Sequence, residues 1–173
     1  MSEIKISDFI RDIADFPKEG ILFKDITPLL QNPVAMREAT EQLCENLLST
    51  KINKVVGVES RGFIFGALIA ARLGVGFVPV RKPGKLPYRT ISATYALEYG
   101  QDTLEIHEDA IESGDNVLVH DDLLATGGTA EATCSLINQL GGEVVQLSFL
   151  LELSFLKGRE KLSSYQVSSL IQY

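Results

Sequence analysis

Residues 117–129 read VLVHDDLLATGGT, an apolar run that ends in two acids and continues into small and hydroxyl-bearing residues. The apolar part, Asn116 to His120, is typical of a strand buried on both faces of a parallel sheet. A helical pattern follows from Thr129 and ends at Gly141-Gly142. The segment therefore predicts a strand, a loop and a helix in direct succession.

The same alternation of strand and helix runs through most of the chain. The predicted strands are 54–58, 77–80, 116–120, 144–151 and 165–171, and helices are expected at 62–73 and 129–140. Short apolar strands alternating with helices predict an α/β fold with a mostly parallel twisted sheet flanked by helices.

Two segments depart from this alternation. Near the N-terminus we expect a helix over 8–14, a loop over 20–30 and a second helix after Asn32-Pro33. Residues 81–87, RKPGKLP, predict an irregular basic start to the segment 81–108. The two strand-like runs that follow predict a hairpin that stands off the main sheet.

Composition limits the class of protein. The 173 residues are 45% hydrophobic and 23% charged, which favours one globular domain over 1–173. Sixteen Lys and Arg against 23 Asp and Glu give a net charge of −7, which argues against a nucleic-acid or membrane surface. Cys44 and Cys134 lack metal-ligand spacing, so we expect free thiols in a reducing compartment. We find no targeting segment and expect a cytoplasmic protein.

The residues after the predicted strand have the chemistry of a phosphate cradle. Ligands of open α/β sheets bind at the carboxyl ends of strands, and glycines such as Gly127 and Gly128 let backbone N–H groups approach closely. Thr126 and Thr129 add hydroxyl groups. No lysine follows the glycines, so the loop is not a Walker A motif, and it is not G-x-G-x-x-G. The blander interpretation of the glycines alone is an ordinary turn.

Asp121 and Asp122 are suited to bind a group that lies next to the phosphate, because carboxylates repel the phosphate itself. Ribose hydroxyls, a metal-bound water or a cationic transition state would each fit. A carboxylate pair next to a monophosphate cradle describes a site for a ribose 5-phosphate. Taken alone, the acids could equally be solvated loop charges or a helix cap.

The stretch 117–130 resembles the phosphoribosyl-pyrophosphate motif of the type I phosphoribosyltransferases. Four further stretches, 16–28, 56–65, 81–105 and 151–162, resemble the adenine-specific branch of that family. The resemblance implies transfer of a phosphoribosyl group from phosphoribosyl pyrophosphate (PRPP) to adenine, giving AMP and pyrophosphate, with Mg²⁺ held through the substrate. It also implies a homodimer, an N-terminal hood over 1–33 that binds the base, and a flexible hairpin lid over 81–108.

The resemblance assigns roles residue by residue. The 5′-phosphate would be held by Ala125, Thr126, Gly127, Gly128, Thr129 and Ala130, and the ribose hydroxyls by Asp121 and Asp122. The pyrophosphate would meet Ser60, Arg61, Arg81, Lys82 and Lys85, partly from a neighbouring subunit. The base would meet Leu22, Phe23, Lys24 and Leu153. Glu98 would be the general acid/base, with Tyr99 beside it as a substrate contact, and a cis peptide is common in the loop 59–62.

Two positions depart from the family pattern. Lys24 stands where many members have arginine, and His120 stands where a small apolar residue is more usual. Each assigned residue also has a plainer interpretation: Glu98 as a surface charge, Phe23 as a core anchor, and Arg61 as the partner of a nearby acid. Lys157, Arg159 and Lys161 are predicted to be structural surface charges.

Two alternative functions stay open at this point. One is a phosphoribosyltransferase for another base, although the lysine that a 6-oxopurine site usually adds near the base is not evident. The other is a non-catalytic protein that senses PRPP. A regulator of that kind normally carries a DNA-binding domain, for which this short acidic chain offers no candidate.

Overall fold

The computed structural model describes residues 4–45, 47, 49–96 and 100–173. The chain divides into two compact units, Met1–Gln42 and Leu43–Tyr173. Among the helices of the described residues, none has the length and apolar character needed to cross a membrane. Cys44 and Cys134 are both buried and reduced.

The elements of the first unit form a small hairpin followed by helices. A 3-10 turn at Ile6–Phe9 precedes strands β1 (Arg11–Ala14) and β2 (Leu22–Asp25), and helices α1 (Thr27–Gln31) and α2 (Pro33–Glu45) follow. The two strands are antiparallel, with Ile13 opposite Phe23.

The expected helix over 8–14 is wrong. Ser7 lies inside the 3-10 turn and not at its N-cap, which is Lys5, and the chain turns extended at Ile10 before entering β1. Phe9, Ile10 and Ile13 fit a helical face, but a run this short does not distinguish helix from strand. The expected loop over 20–30 is likewise replaced by β2 and α1, because β2 supplies the backbone partners of β1.

The second unit is built on a parallel five-stranded sheet. Its strands are β3 (Lys54–Val58), β4 (Gly76–Val80), β7 (Asn116–Leu124), β8 (Glu143–Glu152) and β9 (Val167–Gln172), in the spatial order β4-β3-β7-β8-β9. Helices α3 (Gly62–Leu73) and α4 (Gly128–Gln139) connect them. The predicted α/β fold with a mostly parallel sheet is confirmed.

The central strand β7 is buried on both faces, as its unbroken apolar run predicts. Leu118 and Val119 point to opposite faces, and both are fully buried. On one face Val119 packs in a cluster with Leu136 and Ile137 of α4 and Phe149 of β8. This packing fixes the end of β7, where the predicted cradle lies.

The segment after β4 forms a separate antiparallel hairpin, β5 (Thr90–Ala96) and β6 (Gln101–His107). Its inner face joins the core, because Leu104 and Ile106 are buried in the same cluster as α4. A bridge between Arg81 and Glu105 ties the start of the segment to β6. The predicted hairpin is therefore present, while its function as a lid stays a prediction.

Asp25 stabilises the N-terminal hairpin through several bonds at once. Its Oδ1 accepts hydrogen bonds from the Thr27 hydroxyl at 2.5 Å and the Thr27 amide at 2.9 Å, and its Oδ2 lies 2.6 Å from Arg11 Nη2. The Thr27 bonds and then Arg11 lower the pKa of Asp25 to about 2. The ionised form therefore stabilises the fold above the unfolded-state pKa, and this stabilisation is lost as the pH falls towards 2.

We predict that Asp25→Asn lowers the free energy of unfolding by about 1–2 kcal/mol at pH 7. The difference from the wild-type protein should shrink by about half at pH 3, since this pH lies below the ordinary pKa of 3.8 and the carboxylate of the unfolded chain is then mostly protonated. Urea unfolding of both proteins at pH 7 and pH 3 measures this difference in the free energy of unfolding. Asp12→Asn is the matched control, because the Asp12 side chain is 53% exposed and its ion pair with Lys24 should contribute less than about 1 kcal/mol. A difference that is the same at both pH values would contradict this account.

Candidate active site

The loop between β7 and α4 lies at the carboxyl end of the central strand. Gly127 directly precedes the helix and has a φ of 84°, a left-handed conformation that favours glycine. The first turn of α4 leaves backbone N–H groups without partners inside the helix. A cavity of about 60 Å³ opens here and is lined by Asp121, Phe149 and residues 123–130. The predicted phosphate residues and one predicted ribose residue thus share one cavity.

The two acids at the end of β7 differ in their surroundings. The Asp122 side chain is 7% exposed, and its Oδ2 lies 2.8 Å from Arg61 Nε. Burial raises the pKa of Asp122, and Arg61 opposes this effect. Burial and the neighbouring Asp122 raise the pKa of Asp121. Arg61 therefore offsets part of the cost of holding two negative charges at this position.

The loop after β3 approaches the same acids very closely. A Cβ atom on Gly62 would lie 2.7 Å from Asp121 Oδ1, so only glycine fits at the start of α3. The Glu59–Ser60 peptide bond is cis, as the family resemblance implies. Arg61 lies between Ser60 and Gly62 in the chain, and its contact with Asp122 holds it next to the acid pair.

The side chain of Glu59 accepts hydrogen bonds from three basic residues at the start of the hairpin segment. Its Oε2 accepts hydrogen bonds from Arg81 Nε at 3.2 Å and the Lys82 amide at 2.9 Å, and its Oε1 pairs with Lys85 Nζ. Burial alone would raise the pKa of Glu59, but these bonds hold it below its ordinary value. Ser60, Arg81, Lys82 and Lys85, predicted from separate motifs, thus converge on one loop.

A chain of polar contacts joins the hairpin to the cradle. The Thr129 hydroxyl donates to the Tyr95 hydroxyl at 3.2 Å, which donates to Asp102 Oδ2 at 3.3 Å. Asp102 in turn pairs with Lys82 Nζ, which raises the pKa of Lys82 and lowers that of Asp102. A predicted phosphate residue and a predicted pyrophosphate residue are therefore linked through β5 and β6.

Known proteins share both this fold and these segments. The model of the phosphoribosyl transferase domain matches residues 25–170. An adenine phosphoribosyltransferase of Christiangramia forsetii is 60% identical over 170 residues, which are 98% of this chain and 99% of the relative. The chain belongs to the adenine phosphoribosyltransferase family.

Solved structures of the family agree with this assignment. The adenine phosphoribosyltransferase of Thermoanaerobacter pseudethanolicus matches with a TM-score of 0.95 and 54% identity, over 97% of this chain and 98% of that one. The enzyme of Saccharomyces cerevisiae, crystallised with adenine and an imino-altritol bisphosphate, matches with a TM-score of 0.90 and 45% identity, over 95% and 96% of the two chains.

The residues predicted to bind the base lie in different units. Leu22, Phe23 and Lys24 belong to β2, where Phe23 stacks edge-on against Phe16 at 5.1 Å and Lys24 pairs with Asp12. Leu153 follows β8, and its amide donates to the Leu124 carbonyl at 2.9 Å. Glu98 and Tyr99 lie outside the residues that the structure describes.

His120 lies in the core of the adenine phosphoribosyltransferase fold. Its imidazole is fully buried beneath α3, with Cδ2 3.8 Å from a Cβ built on Gly66. Burial lowers its pKa to about 3, so the ring is neutral at physiological pH. The residue therefore acts as part of the sheet's packing, directly below the acids.

Sequence reasoning gave no role to three residues of this site, Tyr95, Asp102 and Glu59, although Glu59 belongs to the loop 59–62 predicted to meet the pyrophosphate. Each acts by holding a predicted residue, and none has a spacing that marks it. The one available signal was the presence of an acid, Glu59, in a loop expected to bind an anion. A carboxylate in such a loop indicates that cations lie next to it, and here these are Arg81 and Lys85.

We predict that Tyr95→Phe lowers the free energy of unfolding by about 1 kcal/mol and speeds amide exchange in Thr90–Ala96, since it removes the hydroxyl that bridges Thr129 and Asp102. Chemical denaturation and hydrogen exchange measure the two effects. Tyr88→Phe is the control, because Tyr88 is 55% exposed at the surface. Equal small changes in both variants would show that the bridge does not support the hairpin.

Proposed function

We propose that this chain transfers the 5-phosphoribosyl group of PRPP to adenine and releases AMP and pyrophosphate, a reaction of purine salvage. The observation that carries the proposal is the single cavity shared by Asp121 and residues 123–130, in a chain 60% identical to an adenine phosphoribosyltransferase. The yeast relative was crystallised with adenine, which supports the choice of base.

The cradle is proposed to hold the 5′-phosphate of PRPP. Backbone N–H groups from Ala125 to Ala130 and the hydroxyls of Thr126 and Thr129 would donate hydrogen bonds to its oxygens. The N-terminal end of α4 adds a favourable dipole for the dianion. This contact would fix the sugar so that its ring lies over the two acids.

Asp121 and Asp122 are proposed to bind the ribose hydroxyls and to oppose the positive charge that develops on the ring. In the reaction, N9 of adenine forms a bond to C1′ while the bond from C1′ to the pyrophosphate oxygen breaks. That oxygen takes the electron pair, and the ring carries positive charge in between. Carboxylates already in place beside such a ring stabilise its positive charge and lower the activation barrier of the transfer, because they need not move during the reaction.

The pyrophosphate is proposed to meet Ser60, Arg61, Arg81, Lys82 and Lys85. Arg61 is already held beside Asp122 at 2.8 Å, so it lies at the boundary between sugar and leaving group. Guanidinium and ammonium groups would stabilise the departing anion by charge-assisted hydrogen bonds. Leu22, Phe23, Lys24 and Leu153 are proposed to bind adenine, with Tyr99 as a further substrate contact.

Mg²⁺ is proposed as the cofactor, held mainly by oxygens of the substrate. Within the described residues, no group of three or more His, Cys, Asp or Glu side chains could hold a metal ion by itself. Asp121 and Asp122 fit an ion that keeps several waters and relies on substrate phosphates, since their oxygens can accept from metal-bound water. When bound, the ion supplies neutralisation of the pyrophosphate charge.

We further propose a cytoplasmic homodimer in which the basic start of the hairpin segment lies near the neighbour's site. The segment 81–108 would act as the lid that excludes water from the reactive sugar.

A spectrophotometric assay with Mg²⁺, PRPP and each purine tests the function. We expect turnover with adenine at least a hundredfold above that with hypoxanthine. Turnover with hypoxanthine but not adenine would assign another base. Binding of PRPP without turnover of any base would indicate a sensor instead of an enzyme.

We predict that Glu98→Ala lowers the turnover number at least tenfold and removes one limb of its pH dependence, because Glu98 is proposed to accept the N9 proton. Steady-state kinetics across pH measure this, with circular dichroism to show that the fold persists. Glu112→Ala, an exposed acid, is the control and should retain full activity. An unchanged rate in Glu98→Ala would remove the acid/base assignment.

A further inference from the structure

The turn after β8 packs directly on the phosphate loop. This turn comprises a 3-10 segment at Ser154–Leu156 and the short helix α5 at Gly158–Lys161. A Cβ atom on Gly158 would lie 2.3 Å from the Ala125 carbonyl oxygen, and one on Gly127 would lie 2.6 Å from the Gly158 carbonyl oxygen. The two backbones therefore touch, and neither position has room for a side chain.

Gly158 is required by its neighbour and not by its own conformation. Its φ lies outside the left-handed range, whereas the preceding Lys157 has a φ of 55°. An alanine at 158 could adopt the backbone conformation without penalty. Its methyl group would instead collide with the Ala125 carbonyl and with Leu124 Cδ1, 2.9 Å away.

An ion pair next to Gly158 anchors the turn to the sheet. Arg159 donates through Nε and Nη2 to the two oxygens of Glu152, each at 2.7 Å, and through Nη1 to the Val167 carbonyl at 2.9 Å. The Ser169 hydroxyl donates to Glu152 at 2.6 Å. The Glu152 side chain is only 5% exposed, and the Arg159 bond holds its pKa below the ordinary value.

This anchor lies directly beside the strand that carries the phosphate loop. Glu152 pairs with Leu124 in the register of β7 and β8, and Leu124 is the residue before the loop. The ion pair therefore connects β8, β9 and α5 at the level where β7 ends. Arg159, expected to be a structural surface charge, has its guanidinium bound to a buried carboxylate.

We propose that Gly158 and the Glu152–Arg159 pair are positioning residues for phosphate binding. Gly158 packs against the carbonyl of Ala125 and the backbone of Gly127, and the ion pair fixes Gly158 to the sheet. The loop is thereby held so that its amides face the cavity. This inference rests on the proposed function, in which that loop binds the 5′-phosphate of PRPP. None of the three residues is among those that line the cavity.

Gly158→Ala is the direct test, with Gly76→Ala as the matched control. A Cβ at Gly76 meets only Lys54 Cγ at 3.9 Å, so the same added methyl group is accommodated there. We expect Gly158→Ala to raise the KM for PRPP and the dissociation constant of ribose 5-phosphate at least tenfold, with the KM for adenine within twofold. Gly76→Ala should leave all three constants within twofold.

A second variant keeps the proposal testable if Gly158→Ala folds poorly. Arg159→Lys retains the charge but loses the two-pronged contact with Glu152, and we expect a threefold or greater rise in the KM for PRPP alone. Arg37→Lys is its control, because Arg37 is exposed on α2 and has no assigned role in the site or in the segment 81–108.

The outcomes separate this inference from the proposed function. An unchanged KM for PRPP in both variants, or equal rises in the KM for PRPP and adenine, would overturn the positioning role. A wild-type protein without transferase activity that still binds ribose 5-phosphate would refute the proposed function. In that case the dissociation constants of the variants would still decide the positioning role.

Discussion

Two adjacent acids, the buried Asp122 and the half-buried Asp121, lie beside the loop proposed to bind phosphate, and their mutual repulsion is the electrostatic constraint on which this site depends. Asp121 and Asp122 follow one another at the end of β7, and the proposed phosphate cradle begins three residues after Asp122. Close carboxylates disfavour each other's ionisation, and burial increases that cost. Arg61 at 2.8 Å from Asp122 relieves it, and Gly62 lets α3 bring the arginine close enough to do so.

Other charged side chains near the site are also paired with neighbours of opposite charge. Glu59 is surrounded by the Arg81, Lys82 and Lys85 segment, and Asp102 holds the side chain of Lys82. The cations proposed to meet pyrophosphate are therefore kept near the site by carboxylates. An incoming pyrophosphate would compete with these carboxylates for the same cations, which gives the hairpin segment a physical reason to rearrange on binding.

The sequence predicts the central strand, the cradle and α4 because their signals are local. An unbroken apolar run, the Gly127-Gly128 pair and a helical period lie side by side in 117–140. The N-terminal hairpin could not be predicted in the same way, since Arg11–Ala14 becomes a strand only by pairing with Leu22–Asp25. Glu59, Tyr95, Asp102 and Gly158 depend on contacts with residues distant in the chain, which no local spacing marks.

A crystal structure of the protein with ribose 5-phosphate and Mg²⁺ bound is the most direct measurement of the central claim. The account predicts that the phosphate oxygens accept hydrogen bonds from the amides of Thr126 to Thr129, while the ribose hydroxyls donate to Asp121 and Asp122. A phosphate bound elsewhere, or a sugar turned away from both acids, would contradict it.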